Sequence, residues 1–211
     1  MNQDSMEMLL KRIVDFRKKD YEKNKELFYK LKEKQIPHTL FISCSDSRID
    51  PNMITGSLPG ELFTVRNIGN IVPPYREADN YASVASAIEY AVLTLGVKNI
   101  IVCGHSNCGG CAASLKPEES LNEFPHIKKW LNLIHEVRDR VIKDTADDHA
   151  KRHRLMEQAN VVEQLKNLLS YPYVNERVKN GKLNISGWYY IIDTGEIFIY
   201  DKNTGEFRLA N

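Results

Sequence analysis

Cysteine is scarce here. The 211 residues contain four cysteines, and three of them, Cys103, Cys108 and Cys111, fall within nine positions. That clustering is a poor cross-linking framework, and a chain of this length buries roughly 70% of its unfolded surface without covalent help. Thiols kept reduced, for metal or for core, are the expectation. Long apolar runs are also missing. No stretch approaches the ~20 residues of a membrane span, and the opening MNQDSMEMLL carries an acid where a secretory leader has a basic segment followed by an apolar one. A cytoplasmic protein with no membrane partner follows. Charge of one sign is lacking too: 29 Lys and Arg face 28 Asp and Glu, for a formal +1. This balance removes any general electrostatic reason to bind nucleic acid, so anion recognition has to be local. There is no internal repeat, low-complexity tract or linker. A single domain over residues 1–211 is expected, with residues 1–34 as a helical arm within it.

What is present is an α/β pattern. Between Leu9 and Leu31 apolar residues recur among lysines and glutamates at amphipathic helical spacing. Three short β-branched runs, TLFISC (39–44), ELFTVR (61–66) and NIIVCGH (99–105), read as buried strands. Between the second and third, Val84, Ile88, Ala91, Val92 and Leu95 repeat with helical period until Gly96. Strand, helix, strand favours a parallel pair with a right-handed crossover, and such sheets collect ligands beyond the carboxyl ends of their strands. Residues 121–169 read as helices with a break inside the charged interval 143–154. The run 185–200 places Asp193, Thr194 and Gly195 between two β-prone stretches, a hairpin signal. The fold class is therefore α/β: a mostly parallel β-sheet flanked by helices, with N-terminal amphipathic helices and a C-terminal β-hairpin.

Cys44 and His105 stand at two of those strand ends, and His105-x-x-Cys108 brings a third donor from one tight turn. Catalytic zinc typically takes three Cys, His or carboxylate ligands and leaves one position for water. The flanking residues sharpen the reading: Cys44-Ser45-Asp46-Ser47-Arg48 on one side, Gly104-His105-Ser106-Asn107-Cys108-Gly109-Gly110 on the other. With PGELFTVRNIGNIVPPY and IEYAVLTLGV, these segments make residues 35–115 resemble the β-class carbonic anhydrases, whose CSDSR and GHSxCGG signatures are both intact.

The resemblance implies reversible hydration of carbon dioxide to bicarbonate and a proton, with one Zn2+ per subunit on Cys44, His105 and Cys108 and hydroxide on that ion as the attacking group. It assigns Asp46 and Arg48 to the catalytic pair. A bidentate guanidinium would keep the carboxylate ionised, oriented and off the metal. Two thiolates offset the charge of zinc, so activity is expected to keep rising above neutral pH. For substrate binding, the resemblance points to a plant-type pocket of Gln35, Phe63, Ile68 and Tyr90, partly across a subunit boundary. Gly109 permits close backbone approach by an anion at the start of the next helix. Cys103 and Cys111 read as structural thiols.

One subclass of the family is regulated by bicarbonate at a site built from tryptophan, arginine and tyrosine. The matching residues here are Phe41, Arg66 and Tyr190, so the indole donor is missing and strong bicarbonate regulation is not expected. The family also implies a homodimer or a multiple of dimers. Two competing readings share the same ligands: hydrolysis of a related heterocumulene such as carbonyl sulfide or carbon disulfide, and a catalytically silent zinc module with Asp46 as fourth ligand.

Overall fold

The computed structural model describes residues 2–145 and 148–210. Its centre is a six-stranded sheet of order β2-β1-β3-β4-β5-β6. The strands are β1 Thr39–Cys44, β2 Leu62–Asn67, β3 Asn99–His105, β4 Asn184–Tyr190, β5 Ile197–Asp201 and β6 Glu206–Leu209. The first four are parallel and the last two antiparallel. From β1 the chain steps to β2 on one side, then crosses to β3 on the other. The strand order therefore reverses between β1 and β3, where an open α/β sheet forms its ligand crevice. Cys44 and His105 end those two strands.

The helices are α1 Asn2–Phe16, α2 Lys25–Leu31, α3 Pro51–Thr55, α4 Ala82–Glu89, α5 Gly109–Ser114, α6 Pro125–Leu131, α7 His135–Asp144, α8 His149–Ser170 and α9 Pro172–Lys179. Local chemistry sets several ends. Asp50 caps α3 by accepting from the amides of Asn52 and Met53, and Pro51 occupies its first turn. Pro172 disfavours helical geometry at Tyr171, which separates α8 from α9. The crossover helix α4 continues as a wider turn over 90–94, with the Leu95 amide reaching back to the Tyr90 carbonyl, and stops at Gly96 as its spacing predicts.

One core lies on the face covered by α4, α8 and α9, where Leu40, Ile42, Ile100 and Val102 meet Ile88, Val161, Leu168 and Val174. α8 approaches closely because β3 and β4 each present a glycine to it. A Cβ on Gly104 would lie 2.5 Å from Val161 Cγ2, and one on Gly187 2.8 Å from Val161 Cγ1. A second cluster joins Cys44, Cys108 and Cys111 to Ile71, Leu131, Ile134 and Met156.

The structure departs from the sequence reading at the C-terminal end of the sheet. The C-terminal hairpin extends into a third antiparallel strand, β6, whose EFRL segment alternates polar and apolar residues but, at four residues, is too short a run to be read as a strand. In the arm, Met6, Leu9, Leu10, Ile13 and Phe16 are all largely exposed within one chain, so α1 does not bury its apolar stripe against its own sheet.

Candidate metal centre

Cys44, His105 and Cys108 converge. One ligand atom from each lies within 4.8 Å of the others, and all three residues are buried. The two sulfurs are 4.0 Å apart, close to the roughly 3.8 Å that two Zn–S bonds of about 2.3 Å subtend at a tetrahedral angle. His105 Nδ1 is 2.9 Å from the Ser106 carbonyl, which assigns the proton to Nδ1 and leaves the Nε2 lone pair free. Nε2 is buried without a hydrogen-bond partner. An orphaned imidazole nitrogen facing two thiols fits a soft divalent metal, and the carbonyl on Nδ1 is the usual outer support for such a ligand.

The electrostatics describe a site ready to exchange protons for a cation. The neighbouring Cys108 sulfur, and then burial, push the Cys44 thiol up to about 12. Cys108 rises likewise to about 12, chiefly through Cys111. For His105, burial acts against the charged form, but Cys44, the Ser106 carbonyl and Asp46 outweigh it and the net shift is upward. Cys103, fully buried on β3, is raised to about 12 by desolvation alone.

Asp46 stands two residues beyond Cys44. Arg48 Nε and Nη2 donate to its two carboxylate oxygens at 2.9 and 2.7 Å, and the Arg48 amide adds a third bond at 3.0 Å. This guanidinium holds the carboxyl well below the usual range. Arg66 fixes the same segment from β2, donating to the carbonyls of Cys44 at 3.1 Å and Asp46 at 2.7 Å.

Beside these groups lies a cleft of about 300 Å³ lined by Cys44, Asp46, Ile68, Gly109, Ala113, Ile127 and Leu131, among others. Ile68 and Gly109 were anticipated from sequence; Ala113, Ile127 and Leu131 were not. Ile127 and Leu131 fall in the stretch 121–169 that reads only as helix, and Ala113 follows the GHSNCGG segment without a signal of its own. Gln35, Phe63 and Tyr90 do not line this cleft within one chain. Gln35 is exposed, and the Phe63 and Tyr90 rings pack against each other at 5.9 Å. Phe41 is fully buried and meets the Trp188 ring edge-on at 5.8 Å. That indole donates to Ser186 Oγ at 3.0 Å and so is engaged locally.

The loop carrying Ile68 is held by polar side chains on α8 that the sequence reading overlooked. Asn160 donates to the Gly69 carbonyl, Gln164 accepts from the Val72 amide, and Asn167 donates to the Val72 carbonyl. On α6, Trp130 Nε1 donates to the Ile68 carbonyl at 2.8 Å.

Residues 39–197 match the family model described as carbonic anhydrase. A carbonic anhydrase of Helicobacter pylori is 43% identical over 192 residues, covering 89% of this chain and 87% of the relative. One from Synechocystis is 40% identical over 199 residues, covering 93% and 71%. Among solved structures, the β-carbonic anhydrase CcaA superposes with a TM-score of 0.93 at 38% identity, covering 98% of this chain and all of that one. A tetrameric β-carbonic anhydrase from Sordaria macrospora gives 0.82 at 32% identity, covering 93% and 96%. Taken with the parallel sheet and the three converging donors at its switch point, these likenesses show that the chain belongs to the β-class carbonic anhydrase family.

Proposed function

We propose that this protein catalyses the reversible hydration of carbon dioxide to bicarbonate and a proton, at a zinc ion held by Cys44, His105 and Cys108. Zinc supplies Lewis acidity, which makes water a competent nucleophile near neutral pH. The chain's own residues do the remaining work. Asp46 accepts a hydrogen bond from the attacking oxygen and so aims its lone pair at the substrate carbon. Arg48 keeps that carboxylate ionised and occupied on both oxygens, which directs it away from the metal. Carbon dioxide carries no charge, and Ile68, Ala113, Ile127 and Leu131 offer it an apolar wall that disfavours water. The backbone at Gly109 and the side-chain amide of Gln35 are the polar anchors for substrate or bicarbonate oxygens.

Phe63, Tyr90 and Gln35 complete the pocket from a partner subunit in a homodimer or multiple of dimers. The unburied apolar stripe of α1 supports that assembly. Four unlinked, buried cysteines suit a reducing cytoplasm, and among the described residues no helix is long and apolar enough to cross a membrane.

The observation that supports the reading most is the two-pronged hold of Arg48 on Asp46 beside three converging metal donors. Stopped-flow hydration with a pH indicator, on zinc-replete protein and on Asp46→Ala, tests it. Fast hydration that collapses in the variant is expected. Zinc-loaded protein inactive at every pH would overturn the proposal in favour of a silent module or another heterocumulene.

A further inference from the structure

The peptide unit joining Asn107 to Cys108 is gripped at both ends. Arg48 Nη2 donates to the Asn107 carbonyl at 3.2 Å, and the Cys108 amide donates to Glu157 Oε1 at 3.0 Å. A trans peptide points its C=O and N–H in opposite directions, so these two contacts fix the plane of the unit between Arg48 and Glu157. The turn needs such support. Asn107 is left-handed at φ 57, and Cys108 caps the six-residue helix α5 without a side-chain bond of its own.

Glu157 is placed to hold this turn against the sheet. It sits on α8 at 4% exposure, and its second oxygen accepts from the Tyr189 hydroxyl at 2.5 Å. Tyr189, 1% exposed, lies on β4 directly across from Gly104, the residue before His105. One carboxyl group thereby ties helix, turn and sheet together, with both oxygens satisfied. A buried carboxyl is costly, and an apolar side chain such as the adjacent Met156 packs α8 without that cost. What an apolar residue cannot do is accept the Cys108 amide.

We propose that Glu157 is a positioning residue for the metal centre: by orienting the 107–108 peptide it aims Cys108 Sγ toward Cys44 Sγ and His105 Nε2. This rests on the reading of Cys108 as a metal ligand. Outer partners of metal ligands typically change affinity by roughly 10- to 100-fold when removed, and the same scale is expected here.

The test compares Glu157→Met, which keeps volume and removes the acceptor, with Glu157→Gln, which keeps an acceptor oxygen for Cys108 and can let Tyr189 turn to accept from its amide. Tyr171→Phe serves as a control, because it deletes a buried hydroxyl bond to the Pro73 carbonyl in the other core. Each protein is loaded with cobalt(II), and two quantities are read: the thiolate-to-cobalt and d–d absorption bands, and metal affinity by chelator competition. Glu157→Met should shift the bands and weaken affinity at least tenfold. Glu157→Gln should stay within about threefold, and Tyr171→Phe should lower only the unfolding temperature.

A folded Glu157→Met with wild-type bands and affinity overturns the proposal. If that variant does not fold, Tyr189→Phe, which frees the same carboxyl group, decides. Affinity at least threefold weaker supports positioning, and wild-type bands and affinity overturn it. Failure of the underlying reading looks different: wild-type protein would lack thiolate-to-cobalt bands, and Cys108→Ser would bind metal as well as wild type does.

Discussion

Arg48 meets Asp46 through two parallel N–H···O bonds of 2.9 and 2.7 Å, the fork-to-fork geometry that a lysine cannot reproduce. The same guanidinium reaches the Asn107 carbonyl, so one side chain sets both the acidic residue and the turn carrying Cys108. Arg48→Lys is therefore not a conservative change. It should lower carbon dioxide hydration roughly 100-fold, the low end of what a positioned proton-accepting group contributes, while metal content measured by mass spectrometry stays near one per chain.

Acid should not silence Asp46. Its folded pKa is depressed by Arg48, so the pair contributes stability above the ordinary carboxyl value of 3.8, lost only as pH falls through the lowered folded value. Through mildly acidic to alkaline pH the carboxylate stays ionised. Hydration activity should rise with pH past neutrality, without an acid limb assignable to Asp46. A rate profile already flat at mildly acidic pH would contradict this.

Metal loading should release protons. In the metal-free protein the Cys44 and Cys108 thiols are raised from 9.0 to about 12, so both are protonated at neutral pH, whereas a bound metal takes thiolates. Zinc titration in weak buffer should liberate at least two protons per ion, one from each thiol, with any proton on the upward-shifted His105 adding to them. For the same reason, the metal-free protein should lose stability as pH climbs from 9 toward 12. Unfolding temperatures with and without metal across that range measure the difference, since the loaded site no longer carries thiol protons to lose.

Val161 leaves no space between α8 and the sheet. Gly104→Ala places a methyl group 2.5 Å from its side chain, and overpacking of this kind costs about 1–3 kcal/mol. Denaturant unfolding should show that loss, with weakened metal binding alongside, because Gly104 adjoins His105.

Bicarbonate should act as product and not as effector. Position 41 offers a phenyl ring with no hydrogen-bond donor, and the nearby Trp188 indole is bonded to Ser186. Saturation with bicarbonate should be hyperbolic. Sigmoidal kinetics abolished by Arg66→Ala would show the expectation to be mistaken.

The spacing of apolar residues determined much of this architecture by itself. Buried parallel strands need continuous β-branched runs, and TLFISC and NIIVCGH are such runs, so β1 and β3 begin and end where the sequence places them. Cys44, His105 and Cys108 were legible for a related reason: each stands at or just beyond a strand end, where an α/β sheet collects its ligands. Only the tertiary structure decided what supports them. Glu157, Asn160, Gln164 and Asn167 recur at helical spacing beside the apolar stripe of α8, and a polar helical stripe reads as solvent-facing. They are turned inward because two glycines on neighbouring strands let α8 descend onto the sheet. That depth brings a carboxyl group to the Cys108 amide and side-chain amides to the Ile68 loop. Hydrophobic periodicity encodes which face is buried, whereas the partner of a buried polar atom depends on how closely two elements approach, and that distance is fixed only when the whole core packs.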